Sequence, residues 1–341
     1  MSLDLPLVWA AIIATAVLLY VLLDGFDLGV GILFPFARSR ADRDVMIDTI
    51  APVWDGNETW LVLGGGGLFA AFPKAYAALM PALYIPIILM LLALVLRGVA
   101  FEFRARGRRR GRPFWTAMFA GGSFTATFAQ GLVLGGFIQG ITLKDGVFAG
   151  GPFDWLTPYS VLVALGLVCG YALLGAAWLV WRTETELHGD ARRWTRLTAI
   201  GVAALVAAVS IATLFVHGRI AERWGFAEGH IDVARLLPLA PIPLLGLAGL
   251  AVIALGLRGR GHGWPFVGAL LVFLSGYAGL AAGFTPQIVP YGMDFRQAAN
   301  QDNALALMLV GVAIILPVIL GYTAWVYWLF RGKVTPDAGY H

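Results

Sequence analysis

Six ionisable side chains stand where the surrounding sequence is otherwise apolar. Asp24 and Asp27 lie in Leu23-Asp24-Gly25-Phe26-Asp27-Leu28-Gly29-Val30-Gly31, and Asp55 and Glu58 in Trp54-Asp55-Gly56-Asn57-Glu58-Thr59-Trp60. Arg97 and Glu102 lie in Leu96-Arg97-Gly98-Val99-Ala100-Phe101-Glu102. An ionisable group inside a membrane costs roughly 2.5–3.5 kcal/mol on insertion scales, so each of these is a functional candidate. Carboxylates held in a low-dielectric setting can bind and release protons near neutral pH, which suits proton transfer. A neighbouring Arg97 would counter protonation and favour the anion. The competing reading is structural: Asp24 and Asp55 could cap helix ends.

The elements that must position these groups follow from composition. Of 341 residues, 59% are hydrophobic and 13% charged, against roughly 25% charged in soluble chains. One soluble core cannot hide so much apolar surface, whereas a chain solvated by lipid need not hide it. Runs long enough to span a bilayer as helices cover residues 7–36, 51–72, 76–101, 114–141, 156–181, 197–217, 236–257, 265–283 and 304–330. The expected fold is an all-α integral membrane protein of about nine helices in one polytopic domain, 1–341. Two four-helix bundles plus one peripheral helix is the expected arrangement. The first span lacks a basic leader and exceeds signal-peptide length, so it is expected to be retained.

Lysine and arginine orient the chain. Arg38, Arg40 and Arg43, the run from Arg97 to Arg112, Arg182, Arg192, Arg193, Arg196, Arg258, Arg260, Arg331 and Lys333 fall on one side. The other side holds Lys74, Lys144, Arg219, Arg223, Arg235 and Arg296. This bias places the N-terminus outside and the C-terminus in the cytoplasm, which requires an odd number of spans. Asp27 lies twenty residues beyond Leu7, about 30 Å along a helix, and so reaches the cytoplasmic edge. The second helix starts at that level and the third ends there. Asp27, Asp55, Glu102 and Arg97 are therefore expected at one membrane face.

Other residue types narrow the chemistry. His188, His230 and His262 fall in expected loops, His217 near an outer helix end and His341 at the terminus, so none is central to a span. Met90, Met118 and Met308 read as packing residues and Cys169 as an isolated, inert thiol. No haem or metal ligand set is expected in this chain. Glycine pairs four apart (Gly25 with Gly29, Gly131 with Gly135, Gly136 with Gly140, Gly279 with Gly283) suit close helix contact. The residues alone leave two classes open: a stand-alone proton-coupled transporter, or a subunit of a larger redox complex.

Longer motifs separate these. Asp24-Gly25-Phe26-Asp27-Leu28-Gly29-Val30-Gly31, Ile50-Ala51-Pro52-Val53-Trp54-Asp55-Gly56-Asn57-Glu58-Thr59-Trp60-Leu61 and Gly66-Gly67-Leu68-Phe69-Ala70-Ala71-Phe72-Pro73 resemble subunit II of cytochrome bd-type quinol oxidases. So do Leu96-Arg97-Gly98-Val99-Ala100-Phe101-Glu102-Phe103-Arg104, Gly170-Tyr171-Ala172-Leu173-Leu174-Gly175 and Tyr322-Thr323-Ala324-Trp325-Val326-Tyr327-Trp328. The resemblance spans nearly the whole chain. It implies a bacterial cytoplasmic (inner) membrane location and a haem-bearing partner, subunit I, often with a small single-helix third subunit. Haem b558, haem b595 and haem d are expected in subunit I, with room for a structural quinone or lipid here. The complex would oxidise quinol and reduce dioxygen to water with cytoplasmic protons; this subunit alone would not be catalytic.

By the same resemblance, Asp27, Asp55 and Glu102 fall on a proton path toward the haem d/b595 region. Trp54 and Arg97 fall near haem carboxylates at the subunit interface, and Trp60 near a lateral oxygen entry. Glu102 stands where some members have Asp, and residues 285–295 depart from the more usual Pro/Ser-rich stretch. The short length and the region from Trp54 to Pro73 are closer to the cyanide-insensitive branch.

Overall fold

A computed structural model describes residues 3–106, 111–184, 186–227, 230–259 and 261–334. Arg108, Arg109, Arg110, Arg260 and His341 lie outside the described residues. The chain is helical almost throughout. Helix α1 (Leu5–Leu33) is capped by Asp4, whose carboxylate accepts from the Leu7 amide, and it ends in a 3₁₀ turn, Phe34–Phe36. A short amphipathic helix α2 (Arg40–Ile50) follows between the first two apolar runs, started by a capping box between Ser39 and Asp42. Then come α3 (Trp54–Ala71), α4 (Pro73–Arg106), α5 (Arg112–Gln139), α6 (Pro158–Arg182) and α7 (Glu186–Val216). The chain continues through α8 (Gly218–Arg223), α9 (Val233–Leu239), α10 (Pro241–Gly256), α11 (Trp264–Phe284), α12 (Phe295–Ala298) and α13 (Asp302–Leu329). Three short antiparallel hairpins in the connections are the other regular structure among the described residues.

Among the described residues seven helices (α1, α4, α5, α6, α7, α11 and α13) are long and apolar enough to cross a membrane. An eighth span results if α9 and α10, bent by 43° at their junction, are taken as one. The expectation of nine also counted α3. That helix has 18 residues, and its first two turns carry Asp55, Asn57 and Glu58, so polar groups occupy the length that would otherwise be apolar. His188 also differs from its expected loop position: the charged segment before the apolar run is already helical, and α7 begins at Glu186.

Helix α1 is the hub, packing on α3, α5 and α6, with α4 on α5, α7 on α6 and α10 on α11. Helices α1 and α6 approach closely through glycine. A Cβ on Gly29 would overlap the Tyr171 carbonyl oxygen, and one on Gly175 would overlap the Gly29 backbone. Only glycine allows these two backbones to touch. The expected pair at Gly279 and Gly283 makes no such approach, since Gly283 faces open space. The outward surfaces of α4 and α13 carry exposed Leu92, Val95, Leu307 and Val318, as lipid-facing or partner-facing helices should.

Candidate functional site: a buried acid–arginine layer

Arg97 sits in the last third of α4, in a leucine- and valine-rich run that puts it against α1 and α5. Its side chain is 1% exposed. Helix α5 can come this close because it presents Gly122, whose missing Cβ would crowd the Ala93 carbonyl oxygen and the Arg97 amide. Nη1 of Arg97 donates to Oδ1 of Asp24 at 2.8 Å. The same nitrogen lies 3.8 Å from Oε2 of Glu58, which is 27% exposed. Trp54 lies over the guanidinium, 5.7 Å from ring centroid to Cζ, a cation–π arrangement. A buried pair of this kind offsets the large desolvation cost only when its geometry is good.

One turn further along α1, Asp27 is fully buried. Its Oδ2 accepts from Nδ2 of Asn57 at 2.7 Å, and that amide also donates to the Leu23 carbonyl. The Asn57 carbonyl oxygen accepts from the Tyr327 hydroxyl at 2.9 Å, which ties α13 to α3 and α1. Nearer the start of α1, Gln130 donates to the Tyr20 hydroxyl at 2.7 Å and accepts from the Tyr171 hydroxyl at 3.0 Å, joining α1, α5 and α6. Tyr20 adjoins the Asp24 carboxylate one turn away on α1, so the two groups of contacts form one polar column. Oδ2 of Asp24, Oδ1 of Asp27 and Nε and Nη2 of Arg97 are buried without a hydrogen-bond partner among the described residues. Buried polar atoms of this sort are normally satisfied by ordered water.

The expected site residues are therefore divided. Asp27 and Arg97 share the buried layer, with Trp54 half-buried at its edge. Asp55 and Glu102 are exposed, Asp55 in the first turn of α3 and Glu102 near the end of α4. The carboxylates that complete the layer are instead Asp24 and Glu58. Asp24 is no cap: it lies inside α1 and is the direct partner of Arg97. Trp60 is 2% exposed and packs with Ala16 and Tyr20. Tyr20, Asn57, Gln130, Tyr171 and Tyr327 were not singled out as site residues. The signal for Tyr20 was its spacing to Asp24 and Asp27, which places all three on one face of α1. Asn57 sits between the two acids of its own motif.

Among the described residues no group of three or more His, Cys, Asp or Glu side chains is arranged to hold a metal ion. A multi-helix membrane fold with a buried arginine serving several acids defines a class of multi-pass membrane protein that keeps charge inside a bundle.

The comparisons make the class specific. The family described as "Cytochrome bd terminal oxidase subunit II" matches residues 5–330, and the chain belongs to that family. It is 27% identical over 363 residues to "Cytochrome bd-I ubiquinol oxidase subunit 2" of Escherichia coli strain K12, covering 98% of this chain and 96% of that protein. It is 28% identical over 340 residues to "Cytochrome bd ubiquinol oxidase subunit 2" of Bacillus subtilis, covering 96% of each. The solved bd oxidase of Geobacillus thermodenitrificans contains a chain of similar fold, with a TM-score of 0.74, 17% identity, and coverage of 97% of this chain and 100% of that one.

Proposed function

We propose that this chain is the non-haem subunit II of a bd-type quinol:oxygen oxidoreductase, docked on a haem-bearing subunit I. Its part in the reaction is to conduct cytoplasmic protons, and to help admit dioxygen, toward the haem d/b595 site. Reduction of one dioxygen to two waters there takes four electrons from quinol and four protons. The haems supply the oxygen and electron chemistry when bound in the partner; this chain supplies packing, charge and proton transfer. A small single-helix subunit and a structural quinone or lipid belong to the same proposal, as does a place in the cyanide-insensitive branch.

In this reading the whole chain is one membrane domain, with α3 counted as a span, the N-terminus outside and the C-terminus cytoplasmic. Two four-helix bundles with one peripheral helix is the arrangement proposed. Asp27 acts as the buried proton-holding group, and Asp55 and Glu102 as acids on the exposed side of α3 and α4. Trp54, backed by Arg97, faces the haem side of the subunit interface, and Trp60 lies beside the oxygen entry.

The observation that supports the proton role best is the full burial of Asp24 and Asp27 beside one arginine, because such groups are costly unless they do work. Purification of the chain with its partner tests the reading: haem absorption and quinol-dependent oxygen uptake are expected, and absence of both overturns it. Within an active complex, Asp27→Asn and Asp55→Asn are expected to slow turnover, and full activity with intact haems would overturn the proton role.

A further inference from the structure

We propose that Glu58 is the group through which protons pass between the buried Asp24–Arg97 pair and the exposed face of α3 and α4. The inference rests on the proton-conducting role proposed above and assigns that role a residue that the family resemblance left without one.

The argument begins with exposure. Asp24 and Asp27 are wholly buried, and Asp55 and Glu102 lie on the outer side. Glu58 is intermediate, with 27% of its side chain exposed while one oxygen lies 3.8 Å from Nη1 of Arg97. The same Nη1 donates to Asp24 at 2.8 Å. The two carboxylates thus flank a single nitrogen. Oδ2 of Asp24 and Nε and Nη2 of Arg97, all buried, have no hydrogen-bond partner among the described residues. These unmet donors and acceptor are what a bridging water needs.

The groups facing this point come from three further elements: Tyr20, Asp24 and Asp27 from α1, Arg97 from α4, and Tyr327 by way of Asn57 from α13. The Asp27–Asn57–Tyr327 connection is a poor alternative conduit, because it runs through a carboxamide that does not titrate. It fastens Asp27, and Glu58 is left as the acid in contact with both sides.

The step is a proton hop. A proton arriving from the exposed face forms an O–H bond on Glu58. That bond breaks toward a bridging water, which releases one of its own protons to Asp24. One O–H bond is lost for each formed, Arg97 keeps its proton, and no electron moves. Simple countercharge to Arg97 is the structural alternative, and the test must separate the two.

The test uses the assembled oxidase with the substitutions Glu58→Gln and Glu58→Asp. The amide keeps shape and polarity but cannot carry a proton. Glu58→Gln is expected to slow quinol-driven oxygen uptake about tenfold or more, with haem absorption unchanged and the solvent deuterium isotope effect on turnover increased. Glu58→Asp is expected to restore most of the rate. Glu58→Gln turnover within about twofold of the unsubstituted complex overturns the proposal. A slow Glu58→Gln complex with lost haem or an unchanged isotope effect also overturns it, since that marks a structural countercharge. Absence of quinol-dependent uptake in the unsubstituted complex overturns the underlying function, and this inference with it.

Discussion

Arg97 serves Asp24 directly and Glu58 at longer range through the same nitrogen, and this sharing decides how the site responds to substitution. Removing the arginine leaves buried carboxylates without a countercharge, which typically costs about 3–5 kcal/mol. Arg97→Met is therefore expected to lower the melting temperature of the detergent-solubilised complex sharply. Arg97→Met combined with Asp24→Asn should be less damaging than the sum of the two single changes, because the pair leaves together. Additive losses in a double-mutant cycle would show that the contact carries no coupling. At this scale the charged members were legible, since a charge inside an apolar run is conspicuous wherever it falls. The uncharged members were not. Gln130 meets Tyr20 across 110 residues and Tyr327 meets Asn57 across 270, and nothing local in the sequence joins partners so distant. The division of Asp55 and Glu102 from Asp27 was equally hidden, because residues at one membrane depth can face opposite sides of their helices.

Helix α1 gains its central position by backbone contact with α6, and the pair Gly29 and Gly175 is what permits it. Gly29→Leu would drive a side chain into the Tyr171 carbonyl, a backbone atom that cannot rotate away. The expected cost exceeds the about 1–3 kcal/mol of ordinary overpacking. Loss of the partner subunit of the oxidase complex on size-exclusion chromatography is the readout, while Gly283→Leu, facing open space, should leave assembly intact. The Gly25–Gly29 spacing made this contact legible on the α1 side. Spacing could not separate it from the Gly279–Gly283 pair, because identical patterns arise wherever small residues are abundant. Helix α3 shows the same limit from the other side. Its acids and asparagine, which make its motif conspicuous, also lower its apolar character and leave it outside the set of helices apolar enough to cross a membrane.

Across the whole molecule, two ion pairs tie the ends to connections distant in sequence. Asp4 at the start of α1 meets Arg296 just before α13 at 2.7 Å, and Glu184 after α6 meets Lys333 after α13 at 2.7 Å. Hydrogen bonding from Arg296 lowers the Asp4 carboxyl below its ordinary value, and hydrogen bonding from Lys333 does the same for Glu184. Lowered native values mean that the stabilisation is present above the ordinary carboxylate range, roughly pH 4–5. It is lost as pH falls through the lowered values. Both pairs are exposed to solvent and screened by salt, so the effect should be local. Hydrogen exchange at residues 3–8 and 330–334 is expected to accelerate below about pH 4 and in high salt, with the buried layer unaffected. Equal exchange at pH 3 and pH 7, corrected for intrinsic rates, would remove the pairs from the account of stability.

The distance in sequence between Asp24 and Arg97, 73 residues, matters before the protein is finished. At about 5–20 residues per second, Asp24 is synthesised roughly 4–15 s before the arginine that pairs with it. During that interval the nascent chain carries two carboxylates into the bilayer without a countercharge. The first helix must thus enter the membrane on the strength of its apolar residues, before the partner of its acids exists. Biogenesis of this subunit therefore includes an interval in which Asp24 and Asp27 exist without the arginine that sits beside them in the folded chain.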